Sequence, residues 1–194
     1  MEKIISVIGA GGKTTLLHKI AERYLQKGKT VLLTTTTHMM LEENTDVSCD
    51  LFSILNKIKR DGYCMAGTIC KENNQKIQAL PKELLIKLIG YVDYILIEAD
   101  GAKHHSLKYP NIDEPVIFEY TTDVILVLGL WELGKNCKEV IFRFDIMRQE
   151  TDVKETENVS FKHIKLICQA YQKRLNNAGY TGNITCLFSE KKEK

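Results

Sequence analysis

The chain has 194 residues, 44% hydrophobic and 27% charged, with 27 Lys and Arg against 25 Asp and Glu for a formal charge of +2. That length supports one good-sized core, and the near balance of charge gives no reason to expect a nucleic-acid partner. No apolar run approaches a membrane span, MEKIISVIG carries no secretion-leader pattern, and the six cysteines lack any CxxC pair. The expectation is therefore a cytoplasmic protein with reduced thiols, no membrane partner and no zinc site.

Residues 3–8, KIISVI, are an apolar run of strand length. IGAGGKTT (8–15) is a glycine turn running into a lysine and two threonines. Residues 15–26 then place Leu16, Leu17, Ile20, Ala21, Tyr24 and Leu25 at helical spacing, with Gly28 positioned to end the helix. The β-branched stretch 30–36 predicts a second strand, giving a βαβ unit with parallel pairing. Residues 50–61 read as a helix closed by Gly62, 63–70 as a strand and 71–78 as a polar turn region. Pro81 opens a helix that runs through Ile89 and closes at Gly90. DYILIEA (93–99) is a buried strand that turns acidic at its end. The loop 100–115 has no periodicity and is stiffened by Pro110 and Pro115, and 123–130 is another apolar strand. Ser160 caps a helix whose apolar face is Ile164, Ile167, Cys168, Tyr171 and Leu175, before Gly179 and a last strand at 183–188. Residues 132–158, polar and mixed in charge, are expected to form a flap or small insertion, and 191–194 a solvated basic end. Strands without alternation, separated by helices, predict an α/β fold with a parallel or mostly parallel sheet and helices on both faces.

Three readings compete for the glycine turn. A dinucleotide fingerprint is met at Gly9 and Gly11 but not at its third glycine position, which is Thr14, and the second strand ends in Thr34, Thr35, Thr36 and Thr37 where that site needs an acid. A bare strand-to-helix turn with a solvated lysine explains the glycines but not the Gly12-Lys13-Thr14 sequence. A phosphate-binding loop has the right ending, although the outer glycine of the usual motif would fall at Val7. Its physics is preserved: amides of Gly9, Ala10, Gly11, Gly12 and the first helical turn converge on one point. Lys13 adds charge for β- and γ-phosphate oxygens, Thr14 is placed to hold Mg²⁺, and Thr15 is assigned the α-phosphate.

An NTPase also needs an acid at the end of a neighbouring buried strand, and YILIEADGAK (94–103) offers Glu98 and Asp100. Alternation puts both on one side of the strand, one for the metal and one for a water. Lys13, Glu98 and Asp100 are the candidate catalytic groups, and Thr14, Glu98 and Asp100 the candidate metal ligands. Thr36, Thr37 and His38 follow the second strand, where a switch segment would contact the γ-phosphate. The fold is thus expected to be P-loop NTPase-like, as one domain over 1–194, using Mg²⁺ with ATP or GTP.

Three stretches, IGAGGKTTLL (8–17), LLTTTTHM (32–39) and LIEADGAKHHSLKYPNIDEPVI (96–117), together resemble the YqeC family, described as accessory factors of selenium-dependent molybdenum hydroxylases. LVLGLWELGK (126–135) is similar to a further family segment, and in IFRFD (141–145) only Arg143 matches a family V-H-R-P-E segment outright. The resemblance covers residues 3–145. It implies an NTPase or phosphoryl-transfer enzyme in maturation of those hydroxylases, or else a nucleotide-gated assembly or delivery factor with little hydrolysis. It also implies an anionic second substrate, a selenium species or molybdopterin-type compound, met by Lys103, Lys108 and Arg143, and an apo-hydroxylase as partner. The closing TCLFSEKKEK (185–194) lacks the family's base-recognition stretch, which leaves adenine or guanine open.

Overall fold

A computed structural model describes residues 3–190; the basic stretch 191–194 lies outside the described residues. The chain begins with β1 (Lys3–Gly9), α1 (Lys13–Leu25), β2 (Val31–Thr35), β3 (His38–Met40), α2 (Leu51–Asp61), β4 (Tyr63–Met65), β5 (Thr68–Ile69) and β6 (Lys76–Gln78). It continues with α3 (Lys82–Leu88), β7 (Tyr94–Glu98), β8 (Leu107–Lys108), β9 (Asp123–Gly129) and a 3₁₀ turn at Leu130–Glu132. It ends with α4 (Cys137–Val140), β10 (Ile141–Phe142), α5 (Phe144–Glu150), α6 (Phe161–Asn177) and β11 (Asn183–Ser189).

Six strands form a parallel sheet in the order β11-β9-β1-β7-β2-β4. On one face Ile5 and Val7 of β1 pack with Leu17 and Ala21 of α1. On the other, Ile4 and Ile8 meet a larger cluster built from α2, α3 and α6 through Ile54, Ile58, Leu85, Leu88, Ile167 and Tyr171. This is an α/β fold with helices on both faces, compatible with that of P-loop NTPases. The central strands β1, β7 and β2 bury apolar side chains on both faces, which is why their runs read as continuous rather than alternating. Among the described residues no helix is long and apolar enough to cross a membrane.

Two local expectations change. The β1-α1-β2 unit is parallel, but its strands do not pair: β7 lies between them, bonded to both. Ile95, Leu96 and Ile97 of β7 are buried on both faces, so that strand belongs at the centre of the sheet. The stretch 63–70 is two strands. β4 joins the main sheet, whereas β5 pairs antiparallel with β6, which also pairs with β3. The break falls at Gly67, where a Cβ would lie 2.7 Å from the Gln78 carbonyl oxygen, so only glycine lets the two backbones approach. Residues 132–158 contribute Cys137, Ile141, Phe144, Met147 and Val153 to the larger cluster.

The loop after β7 is also more ordered than its composition suggests. β8 within it pairs in parallel with β10, Leu107 opposite Ile141 and Lys108 opposite Phe142. That short pairing carries residues from two distant segments to the carboxyl edge of the main sheet.

Candidate functional site

The register defines the site. Val7 of β1 stands opposite Glu98 of β7, so both chains leave the sheet side by side at its carboxyl edge, the usual ligand edge of an open α/β sheet. The turn that follows β1 uses left-handed backbone at Gly9, Gly11 and Gly12. Gly12 is the N-cap of α1, with φ of 103°, and no side chain caps that helix. The amides of the first turn therefore have no side-chain cap, at the positive end of the helix dipole. Gly11 is pressed against the backbone of Gly129 and Ser106: an added Cβ would lie 2.7 Å from the Gly129 nitrogen and 2.9 Å from the Ser106 oxygen. Gly11→Ala is expected to destabilise the fold by about 3 kcal/mol through overlap and left-handed strain, which denaturant unfolding would measure.

Lys13 is buried, and its Nζ donates to the Gly9 carbonyl oxygen at 2.9 Å. The same ammonium lies 3.9 Å from Glu98 Oε1, while Thr14 Oγ1 donates to Glu98 Oε2 at 2.7 Å. Burial pulls the Lys13 pKa down, against the opposing pull of Glu98 and Asp100. Burial likewise pushes the Glu98 carboxyl up, with Lys13 and Thr14 working against it. Both groups are thus charges held in poor solvation, a state that a bound anion and cation would relieve.

Asp100 does not share Glu98's surroundings. β7 ends at Glu98, so strand alternation no longer governs the residue two positions on. Glu98 stays on the α1 side with Leu96, whereas Asp100 turns toward α6, on the opposite face. It is fully buried, accepts from the Gly9 amide at 3.1 Å, and receives the hydroxyl of Tyr171 and the ammonium of Lys108. Burial pushes its carboxyl pKa up, and Lys108 opposes that shift. Lys108 is fully buried too, and also meets the Gly101 carbonyl oxygen at 2.6 Å and Glu114 Oε2 at 2.7 Å. Asp100, expected at a metal, and Lys108, expected at a second substrate, thus sit behind the loop and brace it. Neither lines the cavity.

The cavity in front of the loop has a volume of about 1090 Å³. The glycine turn, Lys13, Thr14 and Glu98 form its floor, and the small antiparallel sheet contributes one wall. Thr36, Thr37 and His38 line that side. Thr36 Oγ1 donates to the Val116 carbonyl oxygen at 2.6 Å, and the Thr37 amide donates to Thr35 Oγ1 at 2.9 Å. Lys103 and Arg143 line the other wall with Trp131 and Phe142. Thr15 lies at the rim, in the first turn of α1.

Sequence reasoning gave no role to Glu114, Tyr171 or Phe142. By spacing Tyr171 belongs to a helix's apolar face, and its hydroxyl partner lies 71 residues away. Glu114 joins Lys108 of its own loop to Arg143, 29 residues further on. No local pattern encodes such pairings.

The sequence model of the YqeC protein family matches residues 5–145. A curated protein of Escherichia coli (strain K12), named "Uncharacterized protein YqeC", is 38% identical over 138 residues, which covers 68% of this chain and 53% of that protein. The match thus spans about half the length of that relative.

Proposed function

The chain belongs to the YqeC family, and from that premise we propose that it binds an Mg²⁺–nucleoside triphosphate, ATP or GTP, as an NTPase or phosphoryl-transfer enzyme. The observation that carries this reading is the buried Lys13–Glu98–Thr14 arrangement beneath an uncapped helix N-terminus at the carboxyl edge of the sheet. The wider role, maturation of selenium-dependent molybdenum hydroxylases with a selenium or molybdopterin-type second substrate, is supported by the family resemblance.

The donor set suits Mg²⁺. The Thr14 hydroxyl and the Glu98 carboxylate are hard oxygens 2.7 Å apart, and this ion is usually held by one or two such groups together with substrate phosphates. When bound, it would neutralise charge on phosphate oxygens. The chain's own contribution is positional. Amides of Gly11 to Thr15 receive the phosphates, and the Lys13 ammonium exchanges the Gly9 carbonyl for β- and γ-oxygens. Asp100 holds the Gly9 amide so that the turn does not shift as the charge arrives. Phosphoryl transfer rests on such positioning and charge stabilisation.

Metal-dependent nucleotide affinity should depend on Glu98 titration. Its carboxyl pKa is raised, and the ligating form is the carboxylate, so protons compete with the metal at a higher pH than for an ordinary glutamate. Affinity is expected to fall as pH drops through the raised Glu98 pKa, and Glu98→Gln to be weaker and to lose that part of the pH dependence. Calorimetric titration with ATP and GTP, with and without Mg²⁺, tests the reading, and phosphate release measures turnover. No heat from either nucleotide would end it.

A further inference from the structure

The cavity stands at the upper end of the size of small-molecule sites. Small-molecule sites run to about 300–1,000 Å³, and this one has about 1090 Å³. Its floor accounts for a triphosphate. The wall made by the 101–106 loop and the β10–α5 junction has a different chemistry.

There Lys103, His105 and Arg143 gather around one aromatic ring. Arg143 Cζ lies 5.2 Å and Lys103 Nζ 5.7 Å from the centroid of Phe142, and the His105 ring stacks on it at 5.3 Å. Both cations line the cavity. Glu114, the acid on this wall, is divided between Arg143 and the buried Lys108. A guanidinium has five N–H donors, so the contact with Glu114 leaves others to face the cavity. Lys103 is exposed and has no carboxylate partner among the described residues. Two cations beside one ring, one of them without a carboxylate partner, offer an anion attraction from both.

The backbone is committed to this arrangement. Among the described residues, four non-glycine residues have positive φ, and three of them, Lys103, His104 and Arg143, line this wall. Such conformations persist only where the surroundings hold them, and they concentrate at ligand clamps.

We propose that Lys103 and Arg143, with His105 beside them, form a second oxyanion subsite that takes the phosphate or carboxylate group of a co-substrate facing the nucleotide. The subsite depends on the nucleotide reading for the identity of its neighbour, but its existence does not. The competing source of the same chemistry is the nucleotide's own terminal phosphate, which would make Lys103 and Arg143 part of the first site.

Trp131 is the only tryptophan in the chain and lines the cavity, so its fluorescence reports directly. Inorganic phosphate is titrated into the full chain saturated with Mg²⁺ and a non-hydrolysable ATP analogue, and separately into Lys13→Ala without nucleotide. A saturable change is expected in both. Lys103→Gln and Arg143→Gln, each first checked by thermal melting, should weaken it at least about tenfold, about 1.4 kcal/mol. Lys103 is exposed, so its variant serves even if Arg143→Gln fails to fold. Absence of a saturable change in the full chain, its loss in Lys13→Ala, or undiminished binding in folded variants would each overturn the proposal. Phosphate binding that needs Lys103 in a protein deaf to ATP and GTP would sink the nucleotide reading and leave this one standing.

Discussion

Lys13→Ala is expected to lower nucleotide turnover by about 10²–10³-fold, equivalent to about 3–4 kcal/mol, with a parallel loss of nucleotide affinity. The size follows from where the ammonium sits. It is buried between the Gly9 carbonyl and Glu98, in surroundings that penalise its charge, so its attraction for a phosphate is little screened. Alanine removes that charge and leaves Glu98, itself poorly solvated, without a cation beside it. Steady-state phosphate release and calorimetry measure the two losses, and far-ultraviolet circular dichroism establishes that the variant is folded. Turnover within about twofold of the parent would show that the ammonium does not stabilise transferring phosphate.

The second large effect concerns stability. Lys108→Met is expected to cost about 3–5 kcal/mol, because it leaves Asp100 as a buried carboxylate without its cation. For a chain of this size that corresponds to a melting temperature lower by roughly 6–20 °C. Adding Asp100→Asn should recover part of the loss by removing the unpaired charge. The double variant should still bind nucleotide poorly, because the Gly9 amide exchanges a carboxylate acceptor for a weaker amide one. A fall of less than about 2 °C in the single variant would mean that the network is solvated and does not brace the loop.

These two lysines show what local sequence encodes. Lys13 follows a glycine turn at the start of a helix, so its place and its Gly9 acceptor are set within a few residues, although Glu98 reaches it from a distant strand. Lys108 resembles a binding residue when only its loop is considered, since a basic residue in an unpatterned segment is ordinarily solvated. The β8–β10 pairing places it inside the protein, across from a segment more than thirty residues further on. Glu98 and Asp100 make the same point at shorter range. Alternation is a property of strands, and β7 stops between them. The stretch 132–158 looked polar because its buried residues are spaced through short, irregular elements, and no single period reveals them.

The sequence by itself determined the parallel α/β class, the strand-turn-helix that presents Lys13 and Thr14, and the acidic end of the neighbouring strand. Those features rest on backbone sterics, helix periodicity and continuous apolar runs, all of which act over a few residues. Tertiary structure alone decided that β7 separates β1 from β2, that Asp100 and Lys108 lie behind the loop, and that Phe142 and Arg143 face it. Each of those depends on which segments share a core, and burial energy is summed over partners far apart in the chain.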